Sequence, residues 1–259
     1  MNIRSIFRNL LLNVFGNIKK PKPGIHIINS HFITPQTMDL RNDPTIFENY
    51  LSYLSNFADF ITLPEAIDFL NKKNYDKSKI YITFTFDDGF EECYSVIAPL
   101  LEKYNTRGAF FINANYISSS IEYQKEFHKR VKIYTKNPMS WEQVQELHNR
   151  GHLIGSHNLD HLNFGELTNE EIDFQLKENK KILEEKLDYK CEYFAWTYGT
   201  FNQFSENALQ ITKKYHKYIF SGTDFKNYYS FHGQVINRRH QEAFWPKNHI
   251  NYFLSFNKK

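Results

Sequence analysis

The sequence predicts an α/β fold, a (β/α) barrel that is distorted or incomplete. Short apolar segments rich in β-branched and aromatic residues alternate with segments of helical periodicity, the pattern of a parallel sheet with crossover helices. Several predicted strands also end directly on polar residues, as strands do at the functional end of such barrels. The length of 259 residues suits one main domain with a full core.

The first 20 residues predict an amphipathic helix. Apolar side chains recur at helical spacing from Ile3 to Ile18, whereas Arg4 and Arg8 lie towards the other side. A helix packed on the domain, an interfacial helix on an anionic membrane surface and a diverged export signal all fit this pattern. The segment is too short and too polar to span a bilayer. Residues 1–23 therefore form a helix and linker, and residues 24–259 form the main domain.

The first half of the main domain predicts strands and helices in turn. A short apolar strand over residues 25–28 ends at Asn29-Ser30-His31. Residues 44–57 predict a helix, and Thr62 ahead of Pro64 predicts the N-cap of the next one. The β-branched and aromatic run from Ile80 to Phe86 predicts a strand that leads directly into Asp87-Asp88-Gly89.

The second half continues the alternation. Ser140 begins a sequence that resembles a capping box, which predicts a helix ending at Gly151. Tyr198-Gly199 predicts a turn. The other predicted elements are helices over 91–104, 168–187 and 203–215 and strands over 108–112, 152–155, 192–196 and 217–221.

Composition restricts the partners and the compartment. The net charge is +3, and the 32 basic residues are scattered, so charge gives no indication of a nucleic-acid partner. Cys93 and Cys191 are far apart and form no C-x-x-C pair, which favours free thiols in the cytoplasm. If the N-terminal helix binds a membrane, the protein lies at the inner face. The aromatic content of 17% suits both a core and a surface that stacks on sugars.

Two adjacent carboxylates, Asp87 and Asp88, follow the strand that ends at Phe86. Two negative charges at such a short distance repel each other. Burying either carboxylate without a cationic partner or hydrogen-bond donors is also energetically unfavourable. A bound cation would relieve that cost and would let the two carboxylates take different tasks. An ordinary Asp-Asp-Gly turn that caps a helix is the alternative.

Two histidines, His157 and His161, follow another predicted strand at a spacing of four residues. On a helical turn this spacing places both imidazoles on one face, where they can reach one metal ion. A pair of surface histidines is the alternative. With Asp88 they would supply three ligands and leave positions open for water and substrate, which is typical of a hydrolytic metal site. Asp87 would then be free to act as the general base.

These segments resemble the polysaccharide deacetylase family with the NodB homology domain, carbohydrate esterase family 4, over roughly residues 24–225. Thr85 to Gly89 is similar to the family's T-F-D-D-G motif, in which the first Asp is the base and the second a metal ligand. His157 and His161 are similar to the ligands of its H-[ST]-x-x-H motif, although Asn158 replaces Ser or Thr. The resemblance implies a NodB-type barrel and a divalent metal, with Zn²⁺ expected and Ni²⁺, Co²⁺ or Fe²⁺ as alternatives.

The segment around His31 resembles the poly-N-acetylglucosamine deacetylase branch of the family, which implies that His31 contacts substrate or acts as an acid. The third motif, R-x-P-Y-G in many members, corresponds to residues 195–199. Tyr198 would still supply a backbone N–H to an oxyanion, and Trp196 is a candidate for stacking on a sugar. The motif's base-orienting arginine is missing. The late Leu-x-His motif, which supplies the acid in other members, has no clean match. His240 and His249 are candidates for that acid, but a structural role is expected for each.

The resemblance implies a metal-dependent hydrolase that removes an N-acetyl group from an amino sugar in a glycan or glycan precursor. Removal of a formyl group from a sugar or lipid-linked sugar is the alternative reaction, and a carbohydrate-binding domain without turnover is the alternative class. The expected partner is an amino-sugar glycan or a lipid-linked or nucleotide-linked sugar, in surface-glycan biosynthesis. Residues 1–20 would add a peripheral membrane contact.

Overall fold

The computed structural model describes residues 12–34, 43–222, 224, 226–256 and 258. Ten strands occur in this part of the chain. They are β1 (Gly24–Ser30), β2 (Asp59–Phe60), β3 (Ile80–Phe86), β4 (Ala109–Ile112), β5 (Leu153–Ser156), β6 (Tyr193–Ala195), β7 (Tyr218–Phe220), β8 (Tyr229–Ser230), β9 (Val235–Ile236) and β10 (Arg239–His240).

The α-helices lie mainly between successive strands. Besides the helical residues 12–18, they are α1 (Pro44–Ser55), α2 (Leu63–Lys72), α3 (Ala98–Lys103), α4 (Ile121–Val131), α5 (Trp141–Asn149), α6 (Asn169–Leu187), α7 (Glu206–Thr212) and α8 (Lys247–Leu254). A π-helical turn at Cys93–Ile97 runs into α3, and short 3-10 turns lie at Phe164–Glu166, Phe201–Gln203 and Phe231–Gly233. The predicted caps are confirmed, because Thr62 and Ser140 each close a capping box at the start of α2 and α5.

The strands form one curled sheet in the order β10-β1-β3-β4-β5-β6-β7-β9-β8, with the short β2 also paired to β3. All of the pairs are parallel except the antiparallel pair β8 and β9. Within the described residues β10 and β8, the two end strands of this order, do not pair with each other, so the sheet does not close. The predicted distorted (β/α) barrel is therefore confirmed.

Parallel pairing brings the carboxyl ends of distant strands to one edge. β1 and β3 pair over their full length, with Ser30 opposite Phe86, so His31 and Asp87 both follow at the same end. Ile112 of β4 lies opposite Ser156 of β5, which places His157 on that edge as well. The polar residues that end the strands thus meet at one rim of the sheet, as barrels of this type require.

Much of the aromatic content lies in the core. Alternate residues of a strand face opposite sides of the sheet. Accordingly, Ile28 and Phe84 belong to a buried cluster that includes residues of α1 and α5. Ile25 and Ile27 belong to a second cluster that includes residues of α2. Both faces of the sheet are therefore covered by helices.

The predicted N-terminal helix is described in part. Residues 12–18 are helical, and residues 1–11 lie outside the described residues. A Cβ atom at Gly16 would lie only 1.9 Å from the carbonyl oxygen of Asn248, so this turn approaches α8 closely. Val14, Phe15 and Ile18 remain exposed. No helix in the described part of the chain is both long and apolar enough to cross a bilayer.

A buried ion pair holds the segment that follows His31. Lys136 donates to a carboxylate oxygen of Glu92, and their side chains are 7% and 1% exposed. The other oxygen of Glu92 accepts the backbone N–H of Ile33 at 2.7 Å, and Lys136 donates to Thr34 Oγ1 at 3.0 Å. These contacts join the segment after β1 to the turn after β3 and to the segment before α5.

Replacing Lys136 by Met is expected to lower the free energy of unfolding by about 3–5 kcal/mol, because it leaves the buried Glu92 carboxylate without its cation. Urea denaturation measures the change. Lys103→Met is the matched control, since Lys103 forms an exposed ion pair with Glu48 and its loss should leave stability near the wild-type value. Equal effects of the two substitutions would contradict this account.

Candidate active site

A cavity of about 390 Å³ opens at the carboxyl ends of the strands. All of the site residues predicted from the sequence line it, together with further side chains that were not predicted. The predicted residues are His31, Asp87, Asp88, His157, His161, Trp196 and Tyr198. The additional ones include Asn29, Phe32, His240, Glu242, Phe244 and Trp245.

Asp88, His157 and His161 form a buried cluster of potential metal ligands. One ligand atom from each lies within 4.8 Å of the other two. Nε2 of His161 lies 3.2 Å from Asp88 Oδ1, and Nε2 of His157 lies 3.5 Å from it. Tetrahedral Zn²⁺ with bonds of about 2.0–2.1 Å separates its ligand atoms by about 3.3 Å. The spacing of these donor atoms therefore fits a divalent ion of this kind.

The hydrogen bonds of the cluster also suit a metal. Asp88 Oδ1 is buried, and no described residue donates a hydrogen bond to it. His157 Nδ1 lies 2.7 Å from the carbonyl oxygen of Ala195, which can only accept, so Nδ1 carries the proton. Burial lowers the pKa of His157 to about 4, which keeps the ring neutral. Its Nε2 lone pair is then free to bind an ion.

The prediction that the two histidines share a helical turn is wrong. The segment from His157 to Asn163 is irregular, and both Asn158 and His161 have a left-handed backbone with φ of 56°. Asn158 suits this conformation better than most residues, and its buried side chain donates to Leu162 O at 3.0 Å. A loop shaped by left-handed residues, rather than a helical face, brings the imidazoles together.

The turn after β3 is also unusual. Asp88 and Gly89 both have positive φ, 77° and 83°. A Cβ at Gly89 would lie 2.9 Å from the side chain of Ile117, so this position requires glycine on both counts. The turn directs Asp87 and Asp88 to different partners within the same cavity.

Asp87 forms a buried bidentate ion pair with Arg238. Two guanidinium nitrogens of Arg238 donate to the two carboxylate oxygens at 2.7 Å each, and its Nε donates to Ser221 O at 2.7 Å. Burial would raise the pKa of Asp87, but the charge of Arg238 holds it below its usual value. Asp87 is therefore an anion with a fixed orientation.

Arg238 corrects the conclusion that a base-orienting arginine is missing. In the third motif, the position before Trp196 is occupied by Ala195 rather than arginine. The arginine comes from just before β10, 151 residues after Asp87. No sequence spacing indicates this contact, since it depends on the strand order β10-β1-β3.

His31 belongs to a hydrogen-bonded group with Glu242 and His240. His31 Nδ1 and His240 Nε2 both lie 2.9 Å from Glu242 Oε1. Burial would lower the pKa of His31, but the hydrogen bond and charge of Glu242 dominate and raise it to about 9. Glu242 is not among the residues predicted from the sequence, and a structural role is predicted for His240, yet both line the cavity. His249 does not line it; its ring contacts Asn13.

Tyr198 and Trp196 line the same cavity but differ in exposure. Tyr198 has a φ of 62°, is 40% exposed and places its ring 4.7 Å from that of His161. Trp196 is only 1% exposed, and its indole stacks on Phe204 at 4.3 Å. Trp196 thus lines the cavity as part of a packed aromatic group, and its stacking on a sugar stays a prediction.

Comparison with known proteins identifies the family. The sequence profile of the family described as "Polysaccharide deacetylase" matches residues 73–218, more than half of the chain. The chain belongs to the polysaccharide deacetylase family. This confirms the resemblance drawn from the Asp87-Asp88 and His157–His161 motifs, both of which lie inside the matched segment. His31, Arg238, His240 and Glu242 lie outside it.

Solved structures share the fold of this polysaccharide deacetylase-family chain. IcaB from Ammonifex degensii is 19% identical with a TM-score of 0.68, and the match covers 91% of this chain and 98% of that one. The Streptococcus pyogenes deacetylase PplD, solved in complex with acetate, is 17% identical with a TM-score of 0.66, and the match covers 91% of this chain and 99% of PplD.

A sequence relative is YxkH of Bacillus subtilis (strain 168), named as a candidate polysaccharide deacetylase, which is 24% identical over 196 residues. That match covers 75% of this chain and 64% of YxkH.

The cluster predicts one tightly bound divalent ion per chain. After chelation, addition of Zn²⁺ and removal of excess, elemental analysis should find about one ion in the wild type. His157→Ala and His161→Ala should each lose it, because two ligands hold the ion far more weakly than three. His148→Ala is the control, since His148 lies on α5 away from the cavity. Retention of the ion by both ligand variants, or its absence from folded wild type, would contradict the assignment.

Proposed function

We propose that this chain is a metal-dependent amide hydrolase that removes an N-acetyl group from an amino sugar of a glycan or glycan precursor. The observation that carries the proposal is the presence, in one cavity, of three chemically distinct groups. They are the Asp88–His157–His161 cluster, the Asp87 carboxylate paired with Arg238, and the His31 imidazole paired with Glu242. Hydrolysis of an amide needs an electrophilic centre, a base and an acid, and each group suits one of these tasks.

Asp88, His157 and His161 would hold the metal, with Zn²⁺ favoured by one carboxylate and two imidazoles as donors. The bound ion would supply Lewis acidity, which activates the attacking water and polarises the amide carbonyl. Three protein ligands leave coordination positions for water and substrate.

Asp87 is the proposed general base. Its two contacts with Arg238 keep the carboxylate ionised and prevent it from rotating. It would accept a proton from the water as the oxygen attacks the carbonyl carbon. Arg238 acts through Asp87 and is a positioning residue, because its guanidinium is fully buried behind the carboxylate.

His31 is the proposed general acid. Glu242 fixes the ring through Nδ1, which leaves Nε2 to give a proton to the departing nitrogen as the C–N bond breaks. The pKa of about 9 means that the imidazole carries this proton at neutral pH. The backbone N–H of Tyr198 is the proposed donor to the oxyanion. The products are a carboxylate and a free amino sugar.

Product analysis tests the reaction. Incubated with oligomers of N-acetylglucosamine, wild type should release acetate and a matching amount of primary amine. Asp87→Asn should lose about 10²–10⁴-fold in rate, because the amide cannot accept the proton, while keeping its metal. Parallel incubation with an N-formyl amino sugar distinguishes deformylation by its formate. A metal-loaded, folded protein that releases neither acid would contradict the hydrolase function and favour a binding domain.

The Arg238–Asp87 pair makes a separate prediction. Arg238→Met should lower kcat much more than it changes KM, since it disorients the base without touching substrate. Arg238→Lys should lose less, because it retains the charge but not the bidentate geometry. Elemental analysis of each variant checks that the metal remains. Equal kcat in wild type and Arg238→Met would show that Asp87 needs no orientation by this residue.

A further inference from the structure

A second group of potential metal ligands lies in the same cavity, outside the cluster already described. His31, His240 and Glu242 each offer one ligand atom, and these atoms lie within 4.8 Å of one another. They come from separate parts of the fold, since His31 follows β1 while His240 and Glu242 lie at the end of β10. We propose that these three side chains form a second divalent-cation site, weaker than the first, whose occupancy inhibits the enzyme.

The carboxylate of Glu242 is already held as a ligand would be. Ser30 Oγ donates to its Oε2 at 2.5 Å, and the backbone N–H of His31 lies 3.3 Å from the same oxygen. These contacts fix the carboxylate and leave Oε1 directed at the two imidazoles. Hydrogen bonds of this kind to the second oxygen orient ligating carboxylates in metal sites.

The two imidazole nitrogens converge on that oxygen. His31 Nδ1 and His240 Nε2 each lie 2.9 Å from Glu242 Oε1, close to the separation of about 3.3 Å between ligands of a tetrahedral ion. An increase of a few tenths of an ångström would admit the ion. The side chains of His31 and His240 are 25% and 41% exposed, so water can complete the coordination.

The relative affinities of the two clusters for a divalent ion follow from the hydrogen bonds and protons that each cluster loses when the ion binds. At the first cluster no described residue donates a hydrogen bond to Asp88 Oδ1, so an ion there replaces none at this atom. At the second cluster the ion replaces two hydrogen bonds to Glu242 and must displace a proton from each bonded nitrogen. The second cluster therefore binds its ion more weakly than the first cluster does.

Inhibition follows from the identity of the ligands, and this step rests on the proposed function. Coordination through Nδ1 removes the hydrogen bond from His31 to Glu242 that holds the imidazole in position as the proposed acid. It also places a second positive charge in the cavity. The hydrolase should therefore be most active with one ion bound and should lose rate as the second site fills.

Metal binding is tested independently of activity. Chelator-treated protein is dialysed to equilibrium against increasing Zn²⁺, and bound zinc is measured by elemental analysis. Wild type should bind two ions in distinct steps, and His240→Ala should lose only the weaker one. His157→Ala should lose the tight ion and keep the weaker one. The matched control, His148→Ala, should bind two.

Some outcomes would overturn the site. A wild-type protein that binds one ion throughout the titration would do so, as would a His240→Ala protein that still binds two. Loss of the weaker ion from His148→Ala would place it elsewhere on the surface. His240→Gln, which keeps a polar side chain, replaces His240→Ala if thermal denaturation shows that the alanine variant is unfolded.

The activity measurement then tests inhibition alone. In wild type the rate of hydrolysis at excess Zn²⁺ should be at least several-fold lower than the rate at one equivalent. In His240→Gln the two rates should be nearly equal. Two bound ions with an unchanged ratio would refute inhibition and leave the site in place. If the protein turns over no substrate, the number of zinc ions bound per chain still decides whether the second site exists. Failure of the proposed hydrolase function is therefore distinguishable from failure of the proposed second site.

Discussion

Two adjacent carboxylates are buried at the end of β3, and the rest of the site is arranged around their charge. Asp87 and Asp88 are each only 2% exposed. An ionised carboxylate removed from water is strongly destabilising unless a cation or several hydrogen-bond donors compensate it. The chain compensates the two in different ways, Asp87 through Arg238 and Asp88 through two histidines whose spacing fits a metal ion. The proposed division between base and ligand has this electrostatic origin.

The same principle applies to a third acidic residue that lines the cavity. Glu242 is a third buried carboxylate, and hydrogen bonds from His240 and His31 counter the effect of burial and hold its pKa below the usual value. Its charge keeps a proton on His31, while Arg238 keeps the proton off Asp87. A neutral-pH amide hydrolysis needs an acid and a base that differ in this way. Nearby buried ion pairs, such as Glu92 with Lys136, stabilise the segment that follows His31.

The local sequence predicted those features whose contacts join residues that are close together in the chain. The capping boxes at Thr62 and Ser140 involve residues three positions apart, so the sequence contains the whole interaction. Asp88, His157 and His161 were predicted because each follows a strand, and parallel strands bring such positions to one edge. The helical turn for the histidines failed because the periodic spacing of i and i+4 also arises in a loop with left-handed residues, such as Asn158.

The sequence by itself determined the strand-and-helix alternation, the rim on which polar residues collect and the identity of the metal-ligand candidates, since these depend on local patterns. Only the tertiary structure decided which cation compensates Asp87, which carboxylate holds His31 and how deeply Trp196 is buried. Arg238 reaches Asp87 and Glu242 reaches His31 because β10, near the C-terminal end of the sequence, pairs with β1, near its N-terminal end. Contacts across 151 and 211 residues depend on strand order and burial, and neither leaves a periodic signal in the sequence.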